Sequence, residues 1–411
     1  MNQFGKIFKF ELKGYLRNKV FIGITIFLVA AIAIAIFIPN IIPLFKSNEG
    51  EGKHPKMLIY ADSPELSAIV EQYFSEAFDG YDIEIWDGTI DDIKAQIVSG
   101  DAECAFVLDS ITSYTYYVNN LSMYDVNTTV ADSVLQEVYR INAMIQNGLT
   151  PEQAGEIIAA RIESTTTTLG KDQMQNFFYT YIMIFALYMV ILLYGQMVAT
   201  NVATEKSSRA MELLVTSAKP TNMMFGKVLA SCLAGFIQLV AIFGSALLFY
   251  NINKSAWAGN DIVQSIFNIP VDLFFYMLVF FVLGFLIYAF LYGAIGSTAS
   301  KLEDINTSVM PITFLFIIAF FVVMFSMASG SVNNAVMQVC SYIPFTSPMA
   351  MFTRIAMSTV AWYEIVISVG ILIGSVVGVG FLAAKIYRVG VLLYGTRPKL
   401  GTIIKTVFKK S

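Results

Sequence analysis

Six runs of this chain, residues 20–38, 177–199, 228–250, 273–297, 309–328 and 365–384, contain no Asp, Glu, Lys, Arg or His. A helix needs roughly 20 apolar residues to cross about 30 Å of hydrocarbon, and every run reaches that length. In lipid each backbone N–H and C=O must find its partner inside the structure, which leaves helices or a closed barrel. The alternating pattern of barrel strands is absent. The runs therefore predict an α-helical polytopic membrane protein with six transmembrane helices. Composition agrees, because 56% of the residues are hydrophobic and 14% are charged, far from the roughly 25% charge of a soluble domain. The first run is read as an uncleaved anchor, not a signal peptide. Its small residues Ala31, Ala33 and Ala35 fall inside the run, and 19 residues precede it.

The charges are segregated. Residues 46–176 carry 22 of the 30 acidic and 7 of the 26 basic residues, a balance of −15 against +11 elsewhere. Lysines and arginines cluster in the N-terminal arm (Lys6, Lys9, Lys13, Arg17, Lys19), in the loop after the second run (Lys206, Arg209, Lys219, Lys227) and in the tail from Lys385. Basic residues beside span ends mark the cytoplasmic side. Both termini are thus expected inside, in the cytoplasmic (plasma) membrane of a bacterial cell, with the acidic block outside. The expected organisation is an interfacial helix at 1–19, transmembrane helix 1 at 20–45 and an extracytoplasmic α/β domain at 46–176, between helices 1 and 2. Transmembrane helices 2–6 follow at 177–384, with a cytoplasmic loop at 200–227 and an outer segment at 330–360, and then a basic tail at 385–411. The acidic block alternates strand-like and helix-like stretches: strands at 57–61, 81–86, 105–108 and 111–118 (the last two flanking Asp109-Ser110), helices at 89–99 and 126–146, and a Thr150–Gln153 capping box. The Thr165–Thr168 run suits a strand or linker.

Several chemistries are excluded. His54 is the only histidine, which removes His-based triads and HExxH zinc sites. Cys104, Cys232 and Cys340 are too far apart for a metal motif and give no disulfide framework. No GxxxxGK[ST] phosphate loop occurs, so the chain is not read as an enzyme, with no catalytic residue, no metal site and no cofactor of its own. The basic residues lie beside membrane spans and form no stripe for nucleic acid. No ionisable group lies inside a run, so no proton relay can be drawn through the membrane. Energy for any transport is expected to enter from the cytoplasmic face.

The loop Thr204–Leu214 has helical periodicity, with Glu205, Ser208, Arg209 and Glu212 on one arc and Ala203, Ala210, Met211 and Leu214 opposite. Glu205 and Arg209 form an i,i+4 pair in the favoured order. An amphipathic surface helix is expected, with Glu205, Arg209 and Glu212 toward the cytoplasm, Met211 and Leu214 resting on the spans, and Lys206 counted with these five as a candidate coupling residue. Gly226 is read as permitting a bend into the third span. Gly370, Gly374 and Gly378 share one helix stripe, suited either to packing inside the subunit or to a dimer seam.

This loop, with Lys219-Pro220 and Gly226-Lys227 after it, resembles that of type-2 ABC export permeases, and most of all their sodium-efflux NatB-like branch. The block Ile343-Pro344-Phe345-Thr346-Ser347-Pro348, with Arg354, resembles the segment between the family's fifth and sixth spans. The resemblance implies a permease subunit of an ATP-driven exporter, working as a dimer with a separate cytoplasmic ATPase that binds ATP and Mg. It implies that the loop helix is the coupling helix and that residues around 340–358 form outer re-entrant helices. The implied cargo is Na⁺, although a charge-free membrane interior suits lipids or hydrophobic and antimicrobial compounds equally. The alternative is a membrane-anchored sensor or assembly scaffold whose outer domain binds a ligand.

Overall fold

A computed structural model describes residues 3–45, 54–122, 125–160, 169–208, 210–299 and 302–392. The chain divides into two compact units, 1–44 with 167–411, and 45–166. The Thr165–Thr168 run, Arg209 and the basic residues of the tail beyond 392 lie outside the described residues.

The first unit begins with α1 (Gln3–Arg17) and α2 (Lys19–Phe45). In α1, Ile7, Phe8, Leu12 and Tyr15 pack on the bundle, while Lys6, Lys9 and Lys13 stay exposed, the division expected of a helix lying at an interface. Asn18 separates the two helices, and its Oδ1 accepts from the Val20 N–H at 2.8 Å, capping α2.

The second unit is built from β1 (Lys56–Ala61), α3 (Pro64–Ala77), β2 (Asp82–Ile85), α4 (Ile90–Ser99), β3 (Cys104–Ser110), β4 (Ser113–Val118), α5 (Asn127–Gln146) and α6 (Pro151–Ala159). The strand order is β2-β1-β3-β4, with β4 antiparallel and the rest parallel. Side chains alternate between the sheet faces. Met57, Ile59, Phe106 and Leu108 form one core with Phe74 and Leu135, while Leu58, Ala105 and Val107 form another with Ile93 and Ile97. Thr89 and Asp92 cap α4 reciprocally, and Gly100 ends it at φ 85°. The hydrogen bonds from Thr89 hold the Asp92 carboxyl below its usual range. β3 continues through Asp109 and Ser110, where a turn is expected from the sequence. The turn falls at Ile111-Thr112 instead, because the Ser110 hydroxyl accepts from the Thr112 N–H at 3.3 Å and closes the chain there.

The first unit resumes with α7 (Gln173–Ser207), α8 (Ala210–Ser217), α9 (Pro220–Ile252), α10 (Asp261–Phe267), α11 (Val271–Thr298), α12 (Ile305–Ala328), α13 (Ala335–Cys340), α14 (Ser347–Met357) and α15 (Trp362–Gly390). Among the described residues, six helices are long and apolar enough to cross a membrane: Lys19–Ile41 within α2, α7, α9, α11, Leu302–Ala328 around α12, and α15. Half or more of the apolar windows of α7 and α11 is buried, against 6% for α2, so α7 and α11 are the axis of the bundle and α2 is its rim. Close approach along this axis needs glycine. A Cβ on Gly296 would meet the Ala199 carbonyl oxygen at 2.5 Å, and one on Gly195 would meet the Tyr292 ring at 2.6 Å.

Two glycine expectations change. Gly226 lies inside the continuous helix α9, which opens with Pro220 at its first turn, so it makes no bend. Its missing Cβ admits Ile7 of α1, whose Cγ2 would otherwise be 2.8 Å away. Gly370, Gly374 and Gly378 face open space with nothing within 4 Å, which removes packing inside the subunit as their role.

All eleven residues of α14 are buried. Pro344 precedes it in the loop and Pro348 sits in its first turn. Pro348 packs on Gly284 of α11, and the Phe345 carbonyl accepts from Tyr288 at 2.7 Å. At its other end, Lys171 Nζ donates to the Ile355 carbonyl at 2.5 Å and Asn176 Nδ2 to that of Ala356 at 3.0 Å. These cap carbonyls that a helix C-terminus otherwise leaves open. Arg354, 2% exposed, donates to Glu364 at 2.7 Å and Asn333 at 2.9 Å, which ties α14 to the start of α15.

Gly296→Ala is expected to destabilise the protein by about 1–3 kcal/mol, because backbone must shift to admit the methyl group. Gly374→Ala should leave stability unchanged or raise it by up to about 1 kcal/mol. Thermal unfolding of the solubilised monomer separates the two.

Candidate functional site

The bundle end that gathers α1, α8, the C-termini of α7 and α11 and the N-terminus of α9 holds most of the loop residues singled out from the sequence. Ser and Thr side chains stop α7 there. Thr204 Oγ1 donates to the Thr200 carbonyl at 2.8 Å, Ser207 Oγ to Thr204 at 3.0 Å and Ser208 Oγ to Glu205 at 3.3 Å. Such back-bonding competes with helix propagation. The loop is consequently two helices, not the single amphipathic one expected. Glu205 and Lys206 belong to the last turn of α7, while Met211, Glu212 and Leu214 belong to α8.

That break redirects the side chains. Lys227 of α9 is 2% exposed, and its ammonium donates to Glu11 of α1 and to Glu205 of α7, at 2.5 Å each. Two carboxylates on one ammonium leave a single negative charge in excess. At an effective dielectric of about 20, unit charges about 4 Å apart interact by about 4 kcal/mol, so the lysine is what allows the two acids to share this space. Asn201 Nδ2 donates to the Tyr15 hydroxyl at 3.2 Å beside the cluster. Burial, reinforced by Glu11, pushes that hydroxyl well above the usual tyrosine range. Lys206 turns the other way, 4% exposed, and donates to the Ser297 carbonyl at 2.7 Å, joining α7 to the end of α11. Glu205, expected on the cytoplasmic surface, thus points into the protein, as does Lys206.

α8 has two faces. Met211, fully buried, packs inward with Val215 and Ala218, a spacing of four and three residues on one side of a helix. Leu214, expected on that face, is 38% exposed, and Leu213 is 76% exposed next to exposed Glu212. α7 ends at Ser207 and α8 is a separate helix, so Val215 replaces Leu214 as the inward anchor. Gln3 Nε2 reaches the Ser217 carbonyl at 3.3 Å and links α8 to the start of α1.

The second unit has a cleft of its own, about 1250 Å³. Asn127 Nδ2 donates there to the hydroxyls of Tyr81 at 3.1 Å and Tyr116 at 3.0 Å, and these donate to Glu103 at 3.4 Å and Asp125 at 2.9 Å. Burial holds the Cys104 thiol at about 12, so it is no nucleophile. Among the described residues, no group of three His, Cys, Asp or Glu could hold a metal ion.

The profile of a family described as "ABC-2 family transporter protein" matches residues 19–385. The chain is 26% identical over 411 residues to the Bacillus subtilis protein titled "Uncharacterized protein YhaP", covering 96% of each chain. It is 32% identical over 227 residues to the Methanocaldococcus jannaschii protein titled "Uncharacterized protein MJ1024", covering 55% of this chain and 53% of that one. No solved structure matches the chain significantly.

Lys227→Met, which leaves both carboxylates without their counter-charge, is expected to cost about 3–5 kcal/mol. The triple variant Glu11→Gln, Glu205→Gln, Lys227→Met should recover most of that loss, because it removes the charges together. Thermal midpoints of the two variants against the parent protein check this.

Proposed function

Because the chain belongs to the ABC-2 family of transporter proteins, as the membrane permease subunit of an ABC transporter, we propose that it works as an exporter through a separate cytoplasmic ATPase docked on α8. One observation carries the proposal. α8 is gripped on one face by Met211, Val215 and Ala218, and presents Glu212, Leu213 and Leu214 outward. A helix held by the spans on one side and bearing an uncovered apolar-acidic patch on the other suits a partner that pushes on it. ATP and Mg are bound on that partner, where the ATP is hydrolysed, and the permease supplies no catalytic group.

The remaining features follow from this reading. α1 and α8 lie at the cytoplasmic end, with both termini inside a bacterial plasma membrane and the 45–166 unit outside. Closure of the ATPase would displace α8, and the Glu11–Lys227–Glu205 cluster would carry that movement into α1 and α9 together, shifting the bundle between discrete arrangements. The exposed stripe Gly370, Gly374 and Gly378 supports a seam between two copies of the chain. The cargo class stays with Na⁺ or a hydrophobic or antimicrobial compound, and the uncharged mid-membrane runs suit the latter as well as the former. The cleft in the 45–166 unit supports a second reading, in which that unit binds a ligand and the chain serves as sensor or scaffold.

Glu212→Arg with Leu213→Glu is expected to abolish co-purification of the ATPase and reduce export at least about tenfold, with the thermal midpoint unchanged, since both side chains are solvent-facing. Retained association in this variant would rule out α8 as the docking helix. Ligand binding by a chain that neither recruits an ATPase nor exports would favour the sensor.

A further inference from the structure

We propose that the outward face of α1 binds the phosphodiester headgroups of anionic phospholipids in the surrounding bilayer. At about 100° per residue, Lys6, Lys9, Phe10, Lys13 and Arg17 fall within an arc of about 100°. The same spacing puts Ile7, Phe8, Glu11, Leu12 and Tyr15 on the opposite side, where they meet the bundle. Glu11 is the only acidic residue before Glu49, and its carboxylate is turned inward to Lys227. The outward arc therefore carries the four cations of this helix and no acid. All four are exposed, and among the described residues none of them has an ion-pair or hydrogen-bond partner.

Phe10 gives the second reason. It lies within the arc, 75% exposed, and Gly14, one turn further on, leaves open space beside it. A solvated charged face gains nothing from an uncovered phenyl ring. At a membrane surface the ring enters the boundary between headgroups and acyl chains, while the cations around it take the phosphates. Position gives the third reason. Asn18 alone separates α1 from α2, whose membrane-length run begins at Lys19, so the arc ends where the hydrocarbon begins. An acidic protein surface would match the cations, but it accounts neither for Phe10 nor for this continuity with the span. The bond from Glu11 to Lys227 serves the lipid face as well, because it holds α1 on the bundle and turns away the one carboxylate that would repel a phosphate.

Native mass spectrometry of the full-length chain in an uncharged detergent, with phosphatidylglycerol and phosphatidylcholine added in equal amounts, reads how much of each lipid stays bound. A basic residue beside an anionic surface contributes about a fivefold factor, so the parent chain is expected to retain phosphatidylglycerol at least about tenfold over phosphatidylcholine. That preference falls as salt is raised. The variant Lys6→Gln, Lys9→Gln, Lys13→Gln, Arg17→Gln should lower the ratio at least about fivefold, while Lys399→Gln, Lys405→Gln, Lys409→Gln, Lys410→Gln in the tail should leave it within about twofold. The four α1 side chains make no bond within the protein, so the thermal midpoint of the first variant in phosphatidylcholine stays at the parent value. Should that variant not fold, Lys9→Gln with Lys13→Gln is read in its place, with an intermediate loss expected. Phe10→Ser should weaken retention of phosphatidylglycerol about threefold or more. Equal retention of the two lipids by the parent, a preference that the α1 variant keeps, or retention unchanged by Phe10→Ser overturns the proposal. An α1 variant that keeps the lipid preference but loses a co-purifying ATPase assigns the face to a protein instead. Neither the ATPase, the cargo nor the side of the membrane enters the lipid measurement, so it can fail with the export reading intact.

Discussion

Burying a lysine ammonium as deeply as Lys227 is costly without counter-charges beside it, and Lys227 draws them from two positions far apart in the chain. Glu11 comes from the N-terminal helix and Glu205 from the last turn of α7. That requirement helps fix where α1 lies, because Glu11 gives an amphipathic helix a charged hold on this end of α9. Gly226 completes the contact from the apolar side by admitting Ile7. One charged bond and one absent methyl group thereby dock α1, and through Gln3 and Ser217 the start of α1 in turn meets α8. The geometry of the bundle end depends on this arrangement more than on the amphipathicity of α8 itself.

Along the bundle the determinants are steric. The α7–α11 axis is close-packed because Gly195 and Gly296 each leave room for a neighbour that any side chain would displace, and Gly284 does the same for Pro348 of α14. Lys206 then locks the end of this axis by bonding the Ser297 carbonyl. At the opposite end α14, buried on all sides, is held by Tyr288 at its beginning and by Lys171, Asn176 and Arg354 near its end. In lipid the driving force between helices is packing and hydrogen bonding more than water exclusion. That is why a few glycines and capped carbonyls carry so much of the tertiary structure here.

The six membrane-length helices were readable directly, because a charge-free run of bilayer length has few alternative folds. Helix ends were less readable. Charges marked where the runs stopped, but α7 continues through Glu205 and Lys206 and α9 begins seven residues before Lys227, since both carry their charges into bonds with other helices. Periodicity placed Glu205 and Arg209 on one arc only on the premise of an unbroken helix. The run Thr204, Ser207 and Ser208 was the available signal against that premise, since hydroxyls that bond back to the backbone end helices. The partner of Lys227 could not be read at all. Glu11 lies 216 residues away, and no spacing rule links positions that far apart. The glycine stripe of α15 was legible as a stripe, but only the neighbours in space show that it faces outward.

If an ATPase docks on α8 as proposed, the break after Ser207 has a mechanical meaning that a continuous helix would lack. Had α7 run unbroken into α8, a push on α8 would tilt the long central helix as one rod, against the full close-packed contact with α11. With the break, α8 can move as a short lever whose inward anchors are Met211, Val215 and Ala218, while the end of α7 stays tied by Lys206 to α11 and by Glu205 to Lys227. Force entering at α8 would then be divided. Part reaches α1 through Gln3 and Ser217, and part reaches α9 through the short link from Ser217 to Pro220. Since α1 and α9 are joined to each other by Glu11 and Lys227, the two routes converge on one ion pair, and its strength sets whether α1 and α9 move together or slide apart.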